Sequence, residues 1–337
     1  MYVLVTGGAG YIGSVVTEEL INDGYKVVVL DNLQQGHREA VSKKADFILG
    51  DVGYSLSLER IFQQFDITAV MHLAADSLVG ESMTDPRKFL QNNVVNGLAL
   101  LNAMLKKCVR KFIFSSTAAV YGSPEIIPIS EKHTTKPVNA YGDSKLMFEK
   151  MLELYGMAYD LQHVSLRYFN AAGATKQAGE AHHPETHLIP SILRVALDQS
   201  GSVSVYGTDY PTKDGSCIRD YIHVADIARA HLIALEKLER LSAKAYNLGN
   251  GNGYSVLEVI ETARRITGFN IPVKLCDRRA GDPGKLVASS NLAKTELGWE
   301  PRYKLEAIIE SAWQWMLQHP EGYVSKDYEL TLTGINQ

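Results

Sequence analysis

The sequence predicts an α/β fold: a doubly wound, mostly parallel sheet over residues 1–170, joined to a smaller α/β lobe over 171–337. Three observations carry that expectation. Short apolar runs alternate with longer amphipathic ones through the first half of the chain. Most of the short runs are apolar throughout, as strands covered by helices on both faces must be. After residue 170 the rhythm breaks at a polar stretch, AAGATKQAGEAHHPETH, and resumes in a different pattern. A length of 337 residues also exceeds what a single core usually holds.

In chain order, YVLVT (2–6), KVVVL (26–30), DFIL (46–49), TAVMHL (68–73), KFIFS (111–115) and QHVSLRY (162–168) read as strands. Segments 11–22, 55–64, 86–106 and 140–158 read as the helices between them. Beyond the polar stretch come a helix at 188–199, a strand at 203–206 and a strand–helix unit at 221–238. A strand at 245–249 and helices near 255–267 and 304–318 follow. Residues 219–249 are expected to rejoin the main sheet. The closing KDYELTLTGINQ reads as a loosely held tail.

The bulk numbers exclude several function classes. A net charge of −4 gives no general attraction to nucleic acid or anionic membrane. The cations of KKCVRK (106–111) fall at an expected helix C-terminus, where the helix dipole favours them. Cys108, Cys217 and Cys276 are scattered without a CxxC pair, which points to a reducing compartment, and a cytoplasmic location is expected. No run reaches membrane-spanning length, and a signal peptide is not expected ahead of the first strand.

VTGGAGYIGS spaces Gly7, Gly10 and Gly13 as GxxGxxG between the first strand and the first helix. Glycine there lets the backbone approach a diphosphate, and the helix N-terminus supplies amide donors. A tight turn alone would explain three glycines; the strand–turn–helix context favours a dinucleotide. Asp31 ends the second strand, where a carboxylate accepts from an adenosine ribose and repels a 2′-phosphate. NAD is therefore expected over NADP.

NAYGDSK sets Tyr141 and Lys145 four residues apart, hence on one helix face. They follow a strand ending in the hydroxyls of Ser115, Ser116 and Thr117. A phenol of pKa ~10 is ionised to only about one part in a thousand at pH 7. A neighbouring ammonium and a positive nicotinamide ring both favour the phenolate. Lowering the pKa by ~3 units takes ~4 kcal/mol of differential stabilisation. Tyr141 is thus expected as base and acid for an alcohol–ketone reaction. Thr117 is expected to hold the reacting oxygen, and Lys145 also to bridge the nicotinamide ribose.

With VGES, LRYFNAAGA, IRDYIHVAD, YNLGNG and RRAGDP in the same order, the chain resembles the extended short-chain dehydrogenase/reductase family over nearly its whole length. Within that family it is similar to the nucleotide-sugar 4-epimerases. The resemblance implies a Rossmann-type NAD domain over 1–170 and a nucleotide-sugar lobe over 171–337. It implies interconversion of UDP-glucose and UDP-galactose by C4 oxidation, rotation of the keto sugar and re-reduction. Tyr11 and Ile12 would lie on the pyrophosphate, Asn32 beside Asp31, and Asp51 and Val52 at the adenine. Leu73, Ala74, Ala75, Asn93, Ser115, Tyr168 and Phe169 would border NAD. Asn170, Leu188, Tyr206, Arg219, Arg279 and Asp282 would hold UDP, and Leu286 would border the hexose. A guanidinium is the natural fork for a diphosphate, although Arg219 or Arg279 alone reads equally as half of an ion pair. The resemblance also implies a homodimer through 86–106 and 140–158.

Departures are visible too. Ser77 stands where many relatives have lysine, and Asn96 where the family usually has glycine. Relatives that eliminate water carry an Asp-Glu pair after the threonine, and decarboxylating relatives carry a glutamate at the second position. Here both positions are methyl, Ala118 and Ala119. A site that only removes and returns a hydride needs neither group. A dehydratase, a 4-ketoreductase and a silent NAD or nucleotide-sugar sensor are the alternatives. His182, His183 and His187 have zinc-compatible spacing. The expected chemistry uses no metal, and none is expected.

Overall fold

The computed structural model describes residues 1–241, 244–279 and 283–323. The tail at 326–337 lies outside the described residues. Strands β1 (Tyr2–Thr6), β2 (Lys26–Asp31), β3 (Asp46–Leu49), β4 (Ile67–His72), β5 (Lys111–Thr117) and β6 (Gln162–Tyr168) fall where apolar runs predict them. Shorter strands follow: β7 (Asn170–Ala172), β8 (Val203–Tyr206), β9 (Ile218–Arg219), β10 (Tyr221–His223), β11 (Ala245–Leu248), β12 (Tyr254–Ser255), β13 (Val273–Cys276) and β14 (Lys285–Leu286). The helices are α1 (Tyr11–Asn22), α2 (Ser55–Gln64), α3 (Val79–Thr84), α4 (Pro86–Leu90), α5 (Gly97–Lys106), α6 (Ala140–Tyr159), α7 (Leu188–Asp198), α8 (Val224–Lys237), α9 (Val256–Thr267) and α10 (Leu305–Gln318).

Seven strands form one parallel sheet in the order β11-β6-β5-β4-β1-β2-β3. Both faces are covered, and β1 shows how. Val3 and Val5 pack with Val15, Val16 and Leu20 of α1 and with Ile227 and Ala228 of α8. Leu4, pointing the other way, packs with Leu58 and Ile61 of α2, Leu100 and Leu101 of α5, and Phe148 of α6. Each such buried side chain contributes about 1.5–3 kcal/mol relative to exposure. The strand order runs outward from β1 in one direction and from β4 in the other. In open α/β sheets the ligand crevice opens at such a reversal, beyond the carboxyl ends of the strands.

The helix predicted at 86–106 is interrupted. Asp85 caps α4 by accepting from the Lys88 amide, and Pro86 opens it. Residues Gln91–Asn96 then widen into π-type turns before α5 resumes. The extra residue turns Asn92, Asn93 and Asn96 toward loops that carry the cleft. Helix α6 begins at Asn139, whose side chain accepts from the Gly142 amide at 2.8 Å. That cap fixes the helix turn that carries Tyr141.

A second core unites Ile189, Ile192 and Leu193 of α7 with Val203 and Val205 of β8, Val259 and Ile260 of α9, and Ile308, Ile309 and Trp313 of α10. The fully buried Asp220 ties this part to the main sheet. Its carboxylate accepts from the amides of Asn250 (2.6 Å), Gly251 (2.9 Å) and Ala288 (3.0 Å). Those amides follow β11 and β14, so one side chain holds three segments around the mouth of the cleft. Among the described residues, no helix is long and apolar enough to cross a membrane.

Candidate active site

A cleft of about 1130 Å³ opens at the carboxyl ends of the sheet. That exceeds the ~300–1,000 Å³ of a pocket for one drug-sized ligand, so a dinucleotide and a second nucleotide both find space. Gly7, Gly10, Tyr11, Ile12 and Gly13 line its corner at β1 and α1. Gly7 has φ +74°, and a Cβ there would lie 2.5 Å from the Ala74 nitrogen. A Cβ at Gly13 would lie 2.0 Å from the Gly7 carbonyl oxygen. Only glycine lets the turn and the helix close up in this way.

Asp31, Asn32, Asp51 and Val52 line the next wall. Asp31 accepts from the amides of Ala9 and Leu33, each at 2.9 Å, which sets the carboxylate rigidly at the strand end. Burial raises its pKa and the two amide bonds oppose the rise. The Asp51 carboxylate accepts from the Asn32 side chain at 2.7 Å, from the Gly53 amide at 2.7 Å and from the Asn96 side chain at 3.3 Å. Asn96, unusual for the resemblance, thus braces Asp51 from the π-type segment. Asn93 does not line the cleft. It is buried and bonds the backbone of Asp76 and the Ser144 hydroxyl, acting one layer behind. Ser77 lines the cleft without a cation of its own; Lys88 reaches Glu81 (2.8 Å) and Asp76 (3.4 Å) at the rim.

Leu73, Ala74, Ala75, Ser115, Thr117, Tyr141 and Lys145 meet in the middle of the cleft. The hydroxyls of Thr117 and Tyr141 are in hydrogen-bond contact. Lys145 donates to the Ser115 carbonyl at 2.9 Å and lies over the Phe114 ring. The expected lowering of the Tyr141 pKa by Lys145 is corrected here. Burial raises that pKa and the Thr117 hydrogen bond opposes it. The ammonium is turned to a carbonyl, and its own pKa is pushed down to about 7 by burial, against the pull of Glu149 and Asp76. Behind it His72 accepts or donates with Thr6 at 2.7 Å and is held neutral, its pKa lowered to about 3 by burial and by Lys145.

Tyr168, Phe169, Asn170, Leu188, Tyr206, Arg219 and Arg279 line the far half. Arg279 lies over the Tyr206 ring at 3.8 Å. Arg219 donates to the carbonyls of Ile218 and Pro283. Asp282 lies outside the described residues. Leu286 is not among the cleft-lining residues: it pairs with Arg219 across β14 and β9 and packs against a cluster holding Ala118 and Phe169. The Ala118 methyl faces that same cluster.

Sequence reading missed the group that holds the centre rigid. Glu149 follows Lys145 by four residues on α6, and the Tyr141–Lys145–Glu149 spacing was its signal. Its carboxylate takes Arg167 bidentately, from Nε at 3.0 Å and from a terminal nitrogen at 2.5 Å. Ser116 donates to the same carboxylate at 2.5 Å. Arg167 also donates to the Tyr121 hydroxyl at 2.8 Å, and Tyr121 donates to Asn247 at 2.7 Å. Both charged residues are buried. Glu149→Leu or Arg167→Met alone is expected to cost about 3–5 kcal/mol of stability, because the partner charge stays buried. The double replacement should cost clearly less than the sum. Urea unfolding of the three variants checks this, and additive losses would contradict it.

Comparison with known proteins adds four findings. The family model described as the NAD dependent epimerase/dehydratase family matches residues 3–249. A UDP-glucose 4-epimerase of Halalkalibacterium halodurans is 51% identical over 331 residues, covering 97% of this chain and 99% of that protein. One from Lacticaseibacillus casei is 48% identical, covering 96% and 99%. The solved UDP-glucose 4-epimerase from Bifidobacterium longum, in complex with NAD+ and UDP, is 37% identical and superposes with a TM-score of 0.91 over 96% of this chain and 100% of that one. The chain belongs to the NAD dependent epimerase/dehydratase family.

Proposed function

We propose that the chain interconverts UDP-glucose and UDP-galactose by oxidising C4, turning the keto sugar over and reducing it from the other face. The observation that carries this reading is that Thr117, Tyr141 and Lys145 line one part of the cleft, the first two in hydroxyl contact, with no acid or base at Ala118 or Ala119. Relatives named as UDP-glucose 4-epimerases at 51% and 48% identity support it. The glycine corner and the fixed Asp31 carboxylate fit NAD, which when bound accepts the C4 hydride and returns it. In this reading residues 1–170 with 219–249 carry NAD, and the remaining lobe carries the nucleotide sugar.

Tyr141 removes the C4 hydroxyl proton and later gives it back. Thr117 holds that oxygen, and Lys145 holds the nicotinamide ribose. Burial raises the phenol's pKa, so the phenolate depends on positive charge arriving beside it. Tyr206, Arg219 and Arg279, with Asn170 and Leu188, grip UDP while the hexose stays loosely held. Asp282 keeps its proposed part in that grip from the sequence alone. Dehydration would need a base for C5 and an acid for the leaving hydroxyl, and Ala118 and Ala119 offer neither.

Substrate breadth follows from Leu286. Leu286 packs behind the cleft wall at Phe169 and pairs with Arg219, and a leucine there fills less space than a tyrosine would; in this reading the wall can yield to a C2 N-acetyl group as the sugar turns. A relative titled UDP-Glc/GlcNAc 4-epimerase is 39% identical over 94% of this chain. Assembly is proposed as a homodimer. Leu90, Val95 and Leu98 on the α4–α5 segment and Met147, Leu154 and Met157 on α6 are exposed, Met157 at 76%. Apolar side chains gathered on two helical segments favour a partner surface.

Three measurements check these statements. Tyr141→Phe should lower turnover by about 10²–10⁴-fold while NAD stays bound; near-normal turnover removes Tyr141 as the acid/base. Wild type should also epimerise UDP-N-acetylglucosamine, and Leu286→Tyr should suppress that rate more than the rate on UDP-glucose. Equal suppression of both, or no wild-type activity on the N-acetyl sugar, refutes the size argument. Sedimentation should give twice the chain mass, and Leu154→Glu with Met157→Glu should give one chain mass.

A further inference from the structure

Glu180, His182 and His187 stand on the cleft wall, apart from Thr117, Tyr141 and Lys145. One donor atom from each lies within 4.8 Å of the other two, and all three residues are half-buried. The two imidazole rings are 5.4 Å apart. His182 bonds through Nδ1 to a Glu180 oxygen. Glu185 Oε1 accepts from His187 twice, from its amide at 2.7 Å and from Nδ1 at 2.8 Å. That pair of hydrogen bonds to Glu185 fixes the His187 ring, and in the neutral tautomer with the proton on Nδ1 the Nε2 atom keeps its lone pair. An outer carboxylate holding the far nitrogen of a histidine is the arrangement that orients metal-binding imidazoles.

The local field also suits a cation. Two carboxylates, Glu180 and Glu185, bond directly to the two imidazoles. Tyr11 faces the same wall: burial, then the charges of Glu180 and Glu185, push its phenol well up. His183, counted with the other two histidines by spacing, does not join the cluster. Glu180 takes its place, from two residues before His182, and Glu185 supplies the outer partner.

We propose that Glu180, His182 and His187 form a binding site for one divalent transition-metal ion of the zinc class. Two imidazoles and a carboxylate suit such an ion better than calcium or magnesium, which favour all-oxygen shells. Donors at ~2.0–2.2 Å from a tetrahedral ion sit ~3.4 Å apart, so side-chain movements of about 1 Å close the site. Three protein donors leave a fourth position for water or a ligand from the cleft. The ion would join the loop after β7 to His187, the residue that precedes α7. The site stands on these donors and does not depend on the reaction proposed above.

The bland alternative is two hydrogen-bonded His–Glu pairs with no affinity for metal. Calorimetric titration of Zn²⁺ into the full chain with its nucleotide bound separates the two. One saturable ion per chain is expected, weakened at least about tenfold by His182→Ala and by His187→Ala, and about 10–100-fold by Glu185→Gln. Absence of saturable binding, or binding unchanged in both histidine variants, overturns the proposal; the latter would assign the ion to cysteine. Co²⁺ added to the unmodified protein needs no variant to fold. Visible d–d bands without thiolate charge transfer support the site, and no bands, or bands with thiolate character, overturn it.

Discussion

Burying the Glu149–Arg167 pair takes two full charges out of water, and that cost forces the surrounding chain into one arrangement. Such a pair is tolerated only with close geometry and with its remaining hydrogen-bond capacity filled. Here the guanidinium grips the carboxylate bidentately, Ser116 fills a further site on the carboxylate, and Tyr121 fills one on the guanidinium. The contacts span β5, α6 and β6. Ser116 lies between Ser115, which receives Lys145, and Thr117, which meets Tyr141. Glu149 lies one turn beyond Lys145 on the same helix face. Any slip of α6 against β5 would strip a buried charge of its partner. The network therefore sets the spacing of the three central side chains without touching a substrate itself.

The same logic extends outward. Asn247 takes the Tyr121 hydroxyl and also binds the Ile129 carbonyl, while its amide reaches Glu131, so β11 and the segment after Thr117 are held together. Asp220 performs the equivalent task for the loops after β11 and β14. At the other end of the cleft, Gly7 and Gly13 allow contacts that any Cβ would block, and Asp31 is locked by two amides. The cofactor half is thus rigid by backbone packing. The central group is rigid by buried charge. The far half is lined by the longer side chains of Arg219, Arg279 and Tyr206.

Elements with a strong apolar rhythm were legible in the sequence. The first six strands and the long helices fall within a residue or two of their expected bounds, because burial on both faces leaves an unmistakable pattern. Strands β7, β9, β12 and β14 are two or three residues long, too short for any period to register. The break in the 86–106 helix was invisible, since Gln91–Asn96 contains neither proline nor glycine to mark it, and its side chains bond to distant Asp76 and Asp51. The share of Lys145 in the charge on Tyr141 was misjudged for a related reason. Spacing puts Lys145 on its face, but the competition between a phenol and the Ser115 carbonyl for that ammonium is tertiary. Glu180, two residues before His182, escaped notice because the run was read for its histidines alone, and only the fold brings His187 to the same point.

In the proposed reaction the C4 hydride leaves for NAD and returns to the same carbon, with nothing else leaving the sugar. UDP-glucose carrying deuterium at C4 tests this most directly. Turned over in ordinary water, it should give UDP-galactose with deuterium retained at C4 and no mass loss corresponding to water. Mixed with unlabelled UDP-N-acetylglucosamine or UDP-glucose carrying a heavy-carbon hexose, it should pass no deuterium to the other molecule. Washout of the label into water, its transfer between sugars, or a dehydrated product would contradict the account.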